Sequence, residues 1–240
     1  ALEERHWWYV ALRELVVWHV RRRAQRPLRI LDAGCGTGGM ARALLSYGTV
    51  TAVDASSHAV NYCLQRGLDA ACVALTSWTP QPAAYDVIVC LDVLYHAGVR
   101  DDAAVVRSFQ RALAPGGVLI MHLPAFECLR RAHDVVVATK RRYTRRAARR
   151  LLADNGFDVR MSCYRLPWLF LAALFSKWRE RAHAVRGEEQ SDLHSVPSWL
   201  NASLLALARA ENICVRRGIG MPFGSSICLV ATKANVTVVP

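Results

Sequence analysis

No C-x-x-C pair occurs among the eight cysteines. Its absence argues against a zinc site of the common ligand spacing, and no metal site is expected. The cysteines do not read as a disulfide framework either. Cys35 lies in a glycine-rich turn, and Cys72, Cys90, Cys163 and Cys228 lie in apolar, strand-like runs. Reduced thiols serve there as small core hydrophobes, which points to a reducing compartment and a cytoplasmic protein. No secretory pattern is visible, since residues 2–8 mix charge with aromatics where an apolar core would be needed. Residues 166–175 form the longest apolar run, about half of what a membrane span requires. Internal repeats and low-complexity linkers are also missing. With 53% apolar residues the chain has ample material for a buried core, and a disordered polymer is excluded.

Acidic residues are in short supply: 19 against 31 lysines and arginines, a net charge of +12. The excess is local. Residues 140–150 hold much of it, and Arg21-Arg22-Arg23 adds more. Such runs suit nucleic acid, anionic lipid or a phosphorylated substrate, and equally a solvated helix face in an arginine-rich chain.

The most informative stretch is Ile30-Leu31-Asp32-Ala33-Gly34-Cys35-Gly36-Thr37-Gly38-Gly39. Apolar residues lead into an acid, then into glycines at every second position, then into a helix-like run. That is a strand ending in a tight turn against a helix N-terminus, where chain and ligand approach too closely for a Cβ. The spacing is D-x-G-x-G-x-G. It differs from the G-x-G-x-x-G of dinucleotide enzymes and points to a smaller nucleoside. A second strand ends in Asp54, about twenty residues on, where a ribose-binding acid sits in a Rossmann-like unit.

Periodicity predicts a helix over 3–23, strands over 29–33, 49–54, 70–74, 86–91, 118–123 and 157–164, and a last strand over 227–233. Helices are predicted over 38–47, from Ser56 or Ser57 to Arg66, over 102–113, and from Thr144 to Asn155. Two more fall over 168–181 and 197–211, with a polar loop over 186–195. Alternating strands and helices mean an α/β fold, with a parallel sheet covered on both faces.

Four segments taken together, Ile30 to Gly39, Val50 to Asp54, Tyr85 to His96 and Leu113 to Met121, resemble the class I S-adenosylmethionine-dependent methyltransferases. The likeness is close over residues 29–123. It implies a Rossmann-like, doubly wound, seven-stranded sheet, mostly parallel, with the last strand antiparallel between strands five and six. It also implies one methyltransferase domain over 1–240, with a helical extension at 1–26 and a helical insertion at 165–224 between the last two strands. The cofactor implied is S-adenosylmethionine, with S-adenosylhomocysteine as product.

On that resemblance the cofactor site comprises Asp32, Gly34, Cys35, Gly36, Gly38, Asp54, Ala55, Leu91 and Asp92. Asp32 reaches the methionyl ammonium, Asp54 accepts from both ribose hydroxyls, and Asp92 helps orient the sulfonium. The acid usual on the adenine side is absent, leaving Ser77 or Trp78 for that place. His96 ends Asp92-Val93-Leu94-Tyr95-His96, where many small-molecule methyltransferases read D-V-L-E-H, and is a candidate general base. His6-Trp7-Trp8-Tyr9 and the pairing of His133-Asp134 with Arg141-Arg142-Tyr143 resemble a poorly characterised branch of the family. They bring His133 and Tyr143 as further catalytic candidates. Trp7, Trp8, Tyr9, Asp134, Arg142 and Trp168 are substrate-site candidates, with the apolar insertion helix forming a wall opposite the N-terminal aromatics.

The expected reaction is methyl transfer to oxygen, nitrogen or carbon of a small or lipid-like acceptor. One alternative is a cyclase of natural-product assembly that binds the cofactor without using its methyl. A second is a nucleic-acid methyltransferase, disfavoured because no N/D-P-P-Y/F tetrad follows strand four and no RNA-binding appendage is recognisable. A third, a non-catalytic binding partner of another enzyme, is disfavoured by the intact cofactor motifs. A second copy of the chain is a further candidate partner.

Overall fold

A computed structural model describes residues 2–130, 134, 138–183 and 197–234. Seven strands form one sheet: β1 Leu28–Ala33, β2 Gly48–Asp54, β3 Asp69–Cys72, β4 Tyr85–Leu91, β5 Leu113–Pro124, β6 Phe157–Arg165 and β7 Ser226–Lys233. Their order is β3-β2-β1-β4-β5-β7-β6. All pairs are parallel except those of β7, which runs antiparallel to both β5 and β6.

The strands are buried on both faces because helices cover both. On β5, Leu119 and Met121 point to one face, where Val105 and Phe109 of helix α5 (Asp102–Ala112) and Leu152 of α6 (Arg145–Ala153) meet them. Val118 and Ile120 point to the other face, against Leu12, Val16 and Val20 of α2 (Trp7–Arg21) and Leu44 of α3 (Gly39–Leu44). This is the period-two alternation of a strand, read by two separate cores.

Several boundaries move for identifiable reasons. The first predicted helix is two. A short α1 (Leu2–Arg5) is cut from α2 at His6, whose extended backbone and ring nitrogen cap the Trp8 amide. Helix α3 is only six residues long and tightens into a 3-10 turn at Leu45–Tyr47. Ser56 caps α4 (Ser57–Gln65) and Thr144 caps α6, each accepting from the amide three residues on.

Between β6 and β7 the chain forms α7 (Pro167–His183) and α8 (Ser198–Arg216). Helix α8 continues past the predicted end at 211 because Asn212 and Val215 are buried against the body. The predicted polar loop over 186–195 lies outside the described residues. Helix α8 lies along α2. Asn201 accepts from the Trp7 amide at 2.9 Å, Asn212 donates to the Ala11 carbonyl at 2.8 Å, and Arg209 pairs with Glu14 at 2.6 Å. No helix among the described residues is long and apolar enough to cross a membrane.

Candidate active site

The strand order reverses between β1 and β4, and the crevice outside the carboxyl ends of such strands is where ligands bind in open α/β sheets. A cavity of about 710 Å³ occupies that place, reaching from the glycine loop to the segment after β4.

The glycine loop forms one wall. Gly34 has φ +82°, and a Cβ there would stand 2.1 Å from Cγ2 of Val93, so both backbone and space demand glycine. The Gly34 and Cys35 amides both donate to the Val53 carbonyl, at 2.7 and 3.0 Å, which ties the loop to β2. Asp54 then holds the loop from the other side. One carboxylate oxygen accepts from the Gly36 amide at 2.9 Å and the other from the Ser56 amide at 2.8 Å. Each oxygen keeps further acceptor capacity toward the cavity. Gly38 does not line the cavity; it caps α3 in a left-handed conformation with Leu68 and Cys63 packed beside it.

Asp32 stands at the floor, 2% exposed, and its Oδ2 has no hydrogen-bond partner among the described residues. Burial pushes its carboxyl up to about 7, with the neighbouring Glu3 and Asp54 charges acting the same way and the Ala41 amide opposing them. A buried carboxylate oxygen without a donor is costly, and a cationic ligand group is what would satisfy it.

The remaining candidates separate clearly. Ala55, Leu91, Asp92 and His96 line the cavity, as does Tyr9. The His96 ring stacks on Tyr95 at 4.4 Å. Residues 138–140 clamp this segment through hydrogen bonds joining Ala97 to Ala138 and Lys140 to Tyr95.

After β3 the lining residues are Ala74, Leu75 and Thr76. Ser77 instead donates to the Ala74 carbonyl, and Trp78 packs toward Phe109 and Tyr85. An indole gains more from joining the core than from edging an open slot.

Tyr143 is buried away from the cavity. Its hydroxyl donates to Asp102 at 2.6 Å, and burial together with that carboxylate raises its pKa. Arg142 grips Asp134 with two parallel hydrogen bonds of 3.0 and 2.9 Å and also donates to the Ala125 carbonyl. This pair fastens the chain after β5. His133 lies outside the described residues.

The N-terminal aromatics diverge, as three neighbours on a helix must. Trp7 is buried against Trp168, ring centroids 5.1 Å apart, so these two meet directly and do not face each other across a pocket. Trp8 turns its edge to His122 at 5.8 Å, and Phe170 packs on Phe126 and Phe223.

His122, Ser226, Arg165 and Glu211 were not among the sequence candidates. His122 is fully buried, with Nδ1 2.9 Å from both oxygens of Asp92 and Nε2 2.9 Å from the Ser226 hydroxyl. A lone histidine inside the apolar run Leu119-Ile120-Met121-His122-Leu123 was the available signal, because a buried imidazole must find partners.

Known proteins match this architecture. A ubiquinone biosynthesis O-methyltransferase of Idiomarina loihiensis is 37% identical over 97 residues, which is 37% of this chain and 39% of that protein. The chain thus spans well under half of the length of the curated relatives it matches. A solved putative sarcosine dimethylglycine methyltransferase from Galdieria sulphuraria superposes with a TM-score of 0.63 at 15% identity, covering 95% of this chain and 87% of that one. The [4+2]-cyclase SpnF superposes with a TM-score of 0.57 at 18% identity, covering 91% and 80%. These two likenesses are likenesses of fold. The family described as "Methyltransferase domain" matches residues 7–162. With its glycine loop, the carboxylate ending β2 and the antiparallel β7, the chain belongs to that family, the class I S-adenosylmethionine-dependent methyltransferases.

Proposed function

We propose that this chain methylates a hydroxyl group of a small, lipid-like or aromatic acceptor. The observation that carries the reading is one continuous cavity. It joins nucleoside-type anchors, Asp54 and the Gly34–Gly36 turn, to a second end lined by Tyr9, Asp92, Tyr95 and His96. The name of the curated relatives supports oxygen as the acceptor atom.

The residues present fit S-adenosylmethionine. Asp32 has an unsatisfied buried oxygen suited to an ammonium, Asp54 has acceptor capacity suited to a diol, and Gly34 leaves a cradle that a Cβ would fill. S-adenosylmethionine supplies an electrophilic methyl group on a sulfonium. The chain's part is mostly positioning, which can remove a large share of a bimolecular barrier. Asp54 fixes the nucleoside end, Asp32 holds the amino acid end where the Gly34 turn allows close approach, and Tyr9 and Tyr95 narrow the acceptor end. His96, on the cavity wall, takes the hydroxyl proton on an unprotonated ring nitrogen as the oxygen becomes a nucleophile.

Calorimetry with S-adenosylmethionine and S-adenosylhomocysteine tests the cofactor half. Asp54→Ala should weaken both together by tenfold or more, since two hydroxyls lose their partner at about 1–3 kcal/mol each. Unchanged affinity would remove Asp54 from the site. Incubation with a panel of catechols and hydroxybenzoates, read by mass spectrometry, tests the acceptor half. A new product formed without S-adenosylhomocysteine would point instead to a reaction that keeps the cofactor intact, the chemistry named for the cyclase neighbour.

A further inference from the structure

Asp92, His122 and Ser226 come from three neighbouring strands and form one chain of contacts. Asp92 directly follows β4, His122 lies on β5 opposite Leu91, and Ser226 opens β7. His122 has no solvent exposure, whereas the Asp92 side chain is 29% exposed and forms part of the cavity wall.

The partners dictate the proton positions. A carboxylate only accepts, so His122 Nδ1 carries the hydrogen toward Asp92, while Nε2 shares a hydrogen bond with the Ser226 hydroxyl. The Asp92 backbone is pinned as well. Its amide donates to the His122 carbonyl at 3.0 Å, and its φ of +55° is a left-handed conformation uncommon for any residue with a side chain. Trp8 covers the imidazole edge-on. A histidine placed in a dry strand and satisfied at both nitrogens is a support for whatever it holds, and what it holds is a carboxylate facing the ligand cavity.

Asp92 does not stand with the ribose-side acid. Asp54 ends β2 and Asp92 follows β4, with β1 and its glycine loop between them. The field of Asp92 falls on the acceptor end. The Tyr95 phenol is raised by burial first and by Asp92 next, and the Tyr9 phenol by burial, then Glu3, then Asp92.

We infer that the Ser226–His122 support holds Asp92 as a fixed anion that distinguishes the cationic cofactor from its neutral product. The inference rests on the methyl-transfer reading above. Before transfer the ligand carries a sulfonium. When the acceptor's electron pair forms its bond to the methyl carbon, the carbon–sulfur pair returns to sulfur, and a neutral thioether remains. An anion near that sulfur favours the first ligand over the second by Coulomb attraction. The His122 contact to both of its oxygens fixes where that carboxylate stands on the cavity wall. The consequence is product clearance and not a faster chemical step, because the attraction is strongest before the methyl leaves. Asp92 is thus a specificity residue, and His122 and Ser226 are positioning residues that act through it.

Calorimetry at low salt with three ligands tests this without any acceptor. The ligands are S-adenosylmethionine, S-adenosylhomocysteine, and sinefungin, which carries an ammonium where the sulfonium stands. Asp92→Asn should weaken the two cationic ligands about tenfold while leaving S-adenosylhomocysteine within about twofold. His122→Leu should follow Asp92→Asn. His122→Asn, whose amide can donate from the place of Nδ1, should restore most of the preference. Thermal melts identify any variant that loses its fold; Asp92→Asn and His122→Asn then carry the test. Equal weakening of all three ligands by Asp92→Asn, or no change in any, would overturn the inference. Wild-type protein that binds none of the three would instead remove the methyl-transfer reading itself.

Discussion

At the scale of single residues, Asp32 is a carboxyl whose charge changes near neutral pH, because burial holds it at about 7. In the folded protein it keeps its proton to about pH 7, whereas in the unfolded chain it releases it near 3.8. Between those values the folded state binds more protons, so this group's contribution to stability falls as pH rises from about 4 to about 7. Ligand binding has the opposite slope, since an ammonium prefers the ionised carboxylate. S-adenosylhomocysteine should therefore bind about tenfold more tightly at pH 8 than at pH 6, and Asp32→Asn should flatten that dependence in calorimetric titrations. Gly34→Ala should destabilise the fold by about 1–2 kcal/mol from backbone strain alone. The clash with Val93 adds to that cost. Loss of S-adenosylhomocysteine binding in a variant that still melts cooperatively would be the expected result. The place of these residues on the cavity wall was legible in the sequence because backbone shape and strand position fix it. The cavity wall after β3 was not: whether Ser77, Trp78 or their neighbours face the cavity depends on which side chain the core takes, and the core took Trp78.

At the scale of elements, the corner where β6, α2 and α8 meet is held by buried charge. Arg165 is 2% exposed and lies 3.5 Å from Glu211, which also accepts from the Leu166 amide; Asn212 bridges Arg165 to the Ala11 carbonyl. Leu166, with φ +58°, is an aliphatic residue in a left-handed conformation, and the Glu211 carboxylate holds its amide there. Burial raises the Glu211 pKa against the pull of Arg165. Glu211→Ala would leave the arginine buried without its counter-charge. It should cost about 3–5 kcal/mol, read as a lower midpoint in urea with the slope preserved. Periodicity disclosed the helices themselves, since apolar residues recur at helical spacing on α2 and α8. The break at His6 and the extra turns of α8 escaped it, because a cap and a long-range contact to Ala11 decide them.

At the scale of the whole molecule, the +12 charge is partly consumed inside it. Arg141 pairs with Asp102 and Arg142 with Asp134, both acids buried, while Arg145 lies over the Tyr164 ring. The run from 140 to 150 thus braces the chain after β5 before it offers anything to a partner. A generic DNA duplex should bind only weakly, with mobility shifts that vanish between about 50 and 200 mM salt as released counterions cease to drive association. A shift that survives physiological salt would restore a nucleic-acid reading. Total charge was legible from composition; its distribution between internal pairs and surface was not.

The sequence by itself determined the sheet, the glycine loop and the carboxylates at the strand ends, because these follow from local rules. Alternation sets strand faces, a positive φ selects glycine, and a strand's end points its acid at the crevice. Only the tertiary structure decided which aromatic of Trp7, Trp8 and Tyr9 meets the cavity. It also decided that Tyr143 and Arg142 brace the frame, and that His122 stands behind Asp92. Those outcomes depend on contacts between residues such as Asp92, His122 and Ser226, which lie 30 and 104 positions apart and meet only when β4, β5 and β7 are laid side by side.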